Sequence, residues 1–435
     1  MTRVSKYVGR HLWRGDCGSF QQETDVSPSQ GSDGRLPLPL MVWTLLAAVA
    51  VLAFTGALVT QGRRARERWS VFLAGSPQQG SVVFRDKGCV RCHAVNGEGG
   101  KVGPDLGHRK PAQSSLPQLV TAMWNHAPQM WERMRADGVP YPTLSYDDVA
   151  QLLAYLYMSR HVDDPGDPAR GHDLFTSKGC IRCHAVDGVG GRIGPDLAAA
   201  SDLTGPMEWT KALWNHASGM RQAAEREGIA WPQFQGHELR DLYAFVRQNA
   251  SRGSVPHGDP ARGWQVFQQK SCTGCHSIRA ADQLEGPNLG PERALPETFT
   301  ELGGAMVSHS PLMEQAMARQ GIARPQLSAQ EMTDVFAFLY SLRYVDPAGS
   351  PHVGASVFMW RGCSRCHGEN AEGTAHAPAL RGRNYNSISL AVALWRHGQQ
   401  MYAQTRPVGI GWPTLVESDV GDLLAFLNSP PEEHR

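Results

Sequence analysis

A five-residue motif, Cys-x-x-Cys-His, occurs four times in this chain of 435 residues and limits what it can fold into. The first cysteines, at positions 89, 180, 272 and 363, lie 91, 92 and 91 residues apart. Four further residues recur in every repeat with the same spacing. They are a glycine (Gly80, Gly171, Gly263 and Gly354), a phenylalanine (Phe84, Phe175, Phe267 and Phe358), a proline (Pro104, Pro195, Pro287 and Pro378) and a leucine (Leu106, Leu197, Leu289 and Leu380). This period exceeds that of a solenoid, so each repeat is expected to be a small domain.

The segments between the motifs predict helices joined by short linkers. Asp, Gly and Pro cluster at 163–168, 257–260 and 346–351, where such residues break helices. Five apolar residues between Val149 and Tyr157 fall on one helical face, and no strand pattern is evident. We therefore predict an all-α fold with four tandem domains of about 90 residues each, at 77–162, 168–250, 260–344 and 351–429.

The repeated motif is the signature of covalent haem attachment. Two thiols three residues apart share a helix face, so each can add to one vinyl group of a porphyrin, and the next histidine can ligate iron. Zinc binding or thiol redox chemistry is the alternative, but every pair precedes a histidine and none has a second pair in its repeat. We predict four haem c groups, attached at Cys89, Cys92, Cys180, Cys183, Cys272, Cys275, Cys363 and Cys366, with His93, His184, His276 and His367 as iron ligands.

Each repeat offers two candidates for the second axial ligand. They form a His-x-x-x-Met sequence whose methionine lies 34 to 37 residues beyond the motif histidine. We favour the methionines, because Pro128 and Pro311 should end the helix there and present the methionine on a loop. These methionines are Met130, Met220, Met313 and Met401. The alternative ligands are His126, His216, His309 and His397, which we otherwise expect to hydrogen-bond to nearby backbone or to a propionate.

Each repeat resembles a class I (mitochondrial-type) cytochrome c domain, over residues from about 77 to 429. The resemblance rests on Gly-x-x-x-Phe, Cys-x-x-Cys-His, Pro-x-Leu, the methionine, and a closing helix with an aromatic residue: Tyr155, Phe245, Phe338 or Phe426. It implies that the first and closing helices cross near the repeated phenylalanine. It also implies that the carbonyl of the repeated proline accepts a hydrogen bond from the motif histidine. Repeat three departs from the pattern, since Met306 replaces a tryptophan, and we expect its redox potential to differ.

A long apolar segment precedes the repeats, because no charged residue lies between Arg35 and Arg63. We predict a tail at 1–36 and a single transmembrane anchor at 37–62, with a cleaved signal peptide or a buried helix as alternatives. The arginines after this segment would place the repeats in the cytoplasm. Haem attachment in the family that the repeats resemble occurs outside the cytoplasm, however. We therefore expect a bacterial inner-membrane protein with periplasmic haem domains, and Cys17 as a plain cytoplasmic thiol.

The resemblance implies electron transfer between redox proteins and not catalysis. The expected partners are a quinol-oxidising or dehydrogenase complex and a soluble cytochrome, oxidase or reductase. A net charge of +1 gives no sign of a nucleic-acid surface. Two alternatives are a haem enzyme subunit with one open iron position, of reductase or peroxidase type, and a haem sensor or assembly module. A second-ligand candidate in every repeat argues against the first, and the lack of an effector domain argues against the second.

Overall fold

The computed structural model describes residues 75–107, 115–248, 257–279, 284–344, 346, 348–407, 409 and 411–430. The expected tail at 1–36, the expected anchor at 37–62 and Cys17 lie outside these ranges. Among the residues so described, none of the helices combines the length and the hydrophobicity that a membrane span requires. The described residues all fall within one compact body.

Each repeat folds into a unit with a first helix, a middle helix and a closing helix. The first helices are Pro77–Asp86, Pro168–Ser177, Pro260–Gln269 and Pro351–Trp360. The middle helices are Leu116–Ala136, Pro206–Arg226, Ser387–Thr405 and, in unit three, the consecutive pair Phe299–Ser308 and Ser310–Arg319. The closing helices are Tyr146–Ser159, Glu238–Val246, Ala329–Ser341 and Glu417–Asn428. The prediction of a mainly helical chain with repeated units is confirmed.

The prediction that strands are absent is wrong in units one and two. Each has a short antiparallel pair after the haem motif: Ala94–Val95 with Glu98–Gly99, and Ala185–Val186 with Val189–Gly190. Strands of two residues are too short to produce the alternating pattern by which a strand is recognised in sequence.

Polar side chains fix where the helices begin. Asp167 and Asp259 accept hydrogen bonds from backbone N–H groups in the first turn of the first helices of units two and three, and each precedes a proline at the helix start. The closing helix of unit three begins with a capping box of Ser328 and Glu331. Asp167 and Asp259 lie within the Asp, Gly and Pro linkers, so units two and three begin at the same point of their repeats.

The first and closing helices of each unit cross in direct contact at the repeated glycine. A Cβ atom on Gly80 would lie 2.0 Å from the carbonyl oxygen of Gln151, and only glycine permits this approach. The other three glycines meet the closing helix at 1.9 to 2.0 Å in the same way: Gly171, Gly263 and Gly354. Beside each crossing the repeated phenylalanine contacts the closing-helix aromatic, with ring centroids 5.3 to 5.8 Å apart. The expected crossing is confirmed.

The buried apolar side chains form two clusters, one of which crosses the unit boundaries. One runs through units one, three and four and includes Trp214 of unit two. The other lies within unit two, around Phe175, Leu239 and Leu242. The units therefore pack against one another through buried side chains and are not joined by their linkers alone.

Candidate haem sites

The haem motif of each unit forms one helical turn that starts after a residue in the left-handed region. Gly88, Gly179 and Gly362 have φ values of 79° to 81°, and Ser271 takes this position in unit three with φ of 62°. The turn is a 3₁₀ helix in units one to three and an α-helix, Ser364–His367, in unit four. Both cysteines and the histidine of a motif are thereby presented from one short segment.

The motif histidines are held in one orientation by the repeated prolines. Nδ1 of each ring lies 2.9 to 3.0 Å from the carbonyl oxygen of the proline eleven residues later, to which it donates as the N–H tautomer. The pairs are His93 with Pro104, His184 with Pro195, His276 with Pro287, and His367 with Pro378. The implied hydrogen bond is confirmed, and it leaves Nε2 available as an iron ligand.

In units one to three, the residue before the proline is a glycine that lies against the imidazole. A Cβ atom on Gly103 would lie 2.4 Å from Cε1 of His93, and Gly194 and Gly286 approach their histidines at 2.3 and 2.8 Å. Ala377 stands at this position in unit four. The close approach explains the Gly-Pro pair of units one to three, which sequence reasoning did not interpret.

None of the eight motif cysteines forms a disulfide with another cysteine among the described residues. The first cysteine of each motif is partly buried, and this burial raises its pKa to about 11 for Cys89, Cys180, Cys272 and Cys363. A thiol in such surroundings stays protonated at neutral pH. The setting suits thiols that add to an apolar ring.

The candidate methionines all lie on middle helices. Met130, Met220 and Met401 are inside single helices, and Met313 is on the second helix of the unit-three pair. The expectation that Pro128 ends the helix is wrong, because Leu116–Ala136 continues through it. Pro311 does coincide with a break, between Ser308 and Ser310, but Met313 is again helical.

The histidines of the His-x-x-x-Met sequences are more exposed than the methionines. Nδ1 of His126 lies 2.8 Å from the carbonyl oxygen of Ala122, and His309 makes the same contact with Ala305. The expectation of backbone hydrogen bonds is confirmed at these two histidines. Since residues four apart share a helix face, each histidine lies on the same side of its helix as the methionine.

Unit two contains a cavity of about 460 Å³ that brings the predicted site residues together. Cys180, Cys183, His184, Met220 and His216 all line it, and most of the remaining wall is apolar. The size is that of a pocket for an organic cofactor. The wall and the ligands therefore fit a haem.

Trp209 adds a polar group that the sequence reasoning missed. Its ring lines the unit-two cavity, and its Nε1–H is buried without a hydrogen-bond partner among the described residues. A buried donor without a partner is costly unless something fills the site. A carboxylate at the edge of a bound haem would satisfy it.

A repeated helical unit with two vinyl-directed thiols, an oriented histidine and an apolar cavity defines a c-type haem protein. The family model for cytochrome c matches residues 77–158, 168–250 and 260–343, which together make up more than half of the chain. The chain belongs to the cytochrome c family, whose members carry covalently bound haem and transfer electrons. No curated protein and no solved structure matches it.

Unit four lies outside the matched residues and yet has the same parts in the same order. Its first helix crosses its closing helix at Gly354, His367 contacts Pro378, and Met401 lies on its middle helix. The rings of Phe358 and Phe426 are 5.3 Å apart, as at the other crossings. These contacts give unit four the geometry of the three matched units.

Proposed function

We propose that this protein is a tetrahaem electron carrier, with one haem c in each unit, and that it is not itself an enzyme. The observation that carries the proposal is the equivalence of the four sites. Each unit has two cysteines, a histidine oriented through Nδ1 and a methionine on its middle helix. Four equivalent sites in one compact body suit a relay, which accepts an electron at one site and releases one at another.

The side chains around each site have distinct roles. The two cysteines would hold the haem through thioether bonds, and the proline carbonyl keeps the histidine ring in place with Nε2 free to ligate iron. The methionine would supply the second ligand, and a thioether ligand would favour the reduced iron and raise the reduction potential. Apolar walls such as those of the unit-two cavity exclude water and so limit the change in surroundings between the two oxidation states. The iron supplies the one-electron chemistry itself.

The proposed setting is the periplasmic face of a bacterial inner membrane. Support comes from the apolar segment at 37–62 and from the extracytoplasmic attachment of haem in this family. We further propose that a quinol-oxidising or dehydrogenase complex reduces the protein. A soluble cytochrome, oxidase or reductase would then accept the electrons.

A haem count combined with a potentiometric titration of the solubilised full-length protein tests the proposal. We expect four haems per chain, all with the high potentials of His/Met ligation, and no rapid binding of carbon monoxide to the reduced protein. A count of three haems per chain would contradict the proposal of one haem in each unit. Rapid carbon monoxide binding at one site would instead favour the alternative, a haem enzyme subunit with an open iron position.

A further inference from the structure

Units one and four make a reciprocal contact through their middle helices. Nε1 of Trp124 donates to the carbonyl oxygen of Pro413 at 2.6 Å, and Nε1 of Trp395 donates to that of Pro142 at 2.9 Å. The side-chain amide of Asn125 also makes two hydrogen bonds of 2.8 Å with the backbone of Leu415. Each unit thus offers its middle helix to the loop before the partner's closing helix.

Units two and three make the equivalent contact. Nε1 of Trp214 donates to the carbonyl oxygen of Pro325 at 2.9 Å. The amide of Asn215 makes two hydrogen bonds with the backbone of Leu327, at 2.8 and 3.0 Å. The Trp-Asn pair therefore has the same partners here as at the contact between units one and four.

In two units, a proline of the middle helix leaves a carbonyl oxygen without a donor, and a tryptophan of the partner unit donates to that oxygen. We call this contact a proline–tryptophan match. Pro128 has no N–H, so the carbonyl of Trp124, four residues earlier, lacks its helical donor. Nε1 of Trp412, in unit four, donates to that oxygen at 3.1 Å. An equivalent hydrogen bond forms between units three and two.

In that second case Pro311 frees the carbonyl of Val307, and Nε1 of Trp231 donates to it at 3.0 Å. Trp231 and Trp412 occupy the same place in their repeats, directly before a proline. Two independent proline–tryptophan matches therefore encode the pairing of one with four and of two with three.

Units one and three are joined by a different surface, at the ends of their closing helices. The hydroxyl of Tyr157 donates to the carbonyl of Tyr340 at 3.1 Å, and the ring of His161 stacks on that of Tyr340 at 3.9 Å. The hydroxyl of Thr298 donates to Asp163 at 2.6 Å. All these groups are buried or nearly so, which makes this a permanent joint.

We infer that the four haem sites follow the spatial order four, one, three, two, which differs from their order in the chain. This deepens the proposed function and rests on it. Electron transfer slows steeply with distance, so each step oxidises one site and reduces a site in a contacting unit. Units four and two are then the two ends, where outside partners exchange electrons.

The middle helix links each site to its paired unit. On Leu116–Ala136, Trp124, Ala127 and Trp131 are buried, and Trp124 and Trp131 contact unit four. Met130 and His126 lie on another face of the same helix. The candidate ligand and the contact with the paired unit are therefore separated only by the width of one helix.

Redox titration of four single variants, Met130→His, Met220→His, Met313→His and Met401→His, tests this order. Each change should lower the potential of its own site, which then stays oxidised while the others titrate. An oxidised neighbour carries an extra positive charge, so adjacent sites should be easier to reduce and shift upward. Each site is followed by the NMR signal of its ligand methionine methyl, assigned through its loss in the matching variant.

Variants at the two end sites distinguish the proposed order most clearly from the order in the chain. We expect Met220→His to shift site three alone and Met401→His to shift site one alone. In the chain order, Met220→His would shift sites one and three, and Met401→His would shift site three; either result overturns the inference. If a Met→His variant leaves the potential of its own site unchanged, methionine is not the ligand there and the proposed function is contradicted. The order of the sites is then decided by the second test alone.

Two interface glycines provide that second test without touching a ligand. A Cβ on Gly398 would lie 2.6 Å from the ring of Trp131, and one on Gly303 would lie 2.4 Å from Thr210. In the haem-loaded protein, Gly398→Val should raise amide hydrogen exchange in the middle helix of unit one. Gly303→Val, its matched control, should raise it in the middle helix of unit two. No change in unit one for Gly398→Val would refute the contact of one with four, and with it the order.

Discussion

The four crossing glycines show how a single missing atom fixes the geometry of a unit. At each one the closing-helix backbone occupies the place of a side chain, because a Cβ atom there would lie only 1.9 to 2.0 Å from a carbonyl oxygen. Backbone cannot move aside as a flexible side chain can. The crossing in turn sets the position of the buried phenylalanine and of the haem motif that follows the first helix.

We expect Gly80→Ala to destabilise the haem-loaded protein by about 1–3 kcal/mol, because the added methyl group forces the two helices apart. Gln79→Ala, at an exposed position of the same helix, is the control and should change the free energy of unfolding by less than about 0.5 kcal/mol. Denaturant unfolding followed by helical circular dichroism measures both. Equal effects of the two variants would contradict the crossing.

At the scale of the helix, the effect of Pro128 depends on a hydrogen bond from unit four. A proline inside a helix normally costs a hydrogen bond, and on the sequence alone it predicts a helix end. Here the freed carbonyl of Trp124 is taken by the indole of Trp412, and the helix continues. The exception could not be predicted from local sequence, because the donor comes from a different unit.

We expect Trp412→Phe to destabilise the protein by about 1–3 kcal/mol, since it leaves a buried carbonyl without a donor. Adding Pro128→Ala should recover part of this loss, because the new N–H can bond to the same oxygen. A double-mutant cycle of unfolding free energies measures the coupling.

The control for that cycle is Trp231→Phe, which breaks the match between units two and three. It should be additive with Pro128→Ala, since the two sites share no partner. Coupling of Pro128→Ala with Trp231→Phe, or its absence with Trp412→Phe, would refute the proline–tryptophan match.

At the scale of the whole molecule, one joint between units one and three holds the two pairs together. Burial lowers the pKa of His161 from 6.5 to about 4, with the charges of Arg160 and Arg343 acting in the same direction. The neutral ring donates from Nδ1 to the carbonyl of Glu297 at 2.7 Å. A proton on this ring therefore binds more tightly to the unfolded chain than to the folded one.

Folding stability from His161 is complete above pH 6.5 and is lost as the pH falls towards 4. The shift corresponds to about 3 kcal/mol. Burial raises the pKa of Asp163, which works in the opposite direction, so the comparison must be with a variant. We expect His161→Asn to flatten the fall in stability between pH 6.5 and 4. Exposed His376 serves as control, and His376→Asn should keep the slope of the parent protein.

The four units could be predicted from the sequence, but the way in which they pack against one another could not. The helix crossings and the His–Pro contacts follow from residues that recur in every repeat, and they are local enough to be inferred. The pairing does not follow from chain order, because linker residues that join units, such as Asp163, find their partners only in the folded chain. A signal was present in the Trp-Asn pairs at Trp124 and Trp214, and it could be interpreted only once their partners were known.

The pairing of one with four has a consequence for how the protein is made. The indole of Trp412 and its acceptor on Trp124 are 288 residues apart in the chain, so the two faces cannot meet until the fourth repeat has been synthesised. During that interval the tryptophan face of unit one stays uncovered, as an apolar surface open to aggregation or to chaperones. The corresponding face of unit two waits only for the next repeat to be synthesised. Of the contacts between units described above, the interface of units one and four is therefore the last that can form.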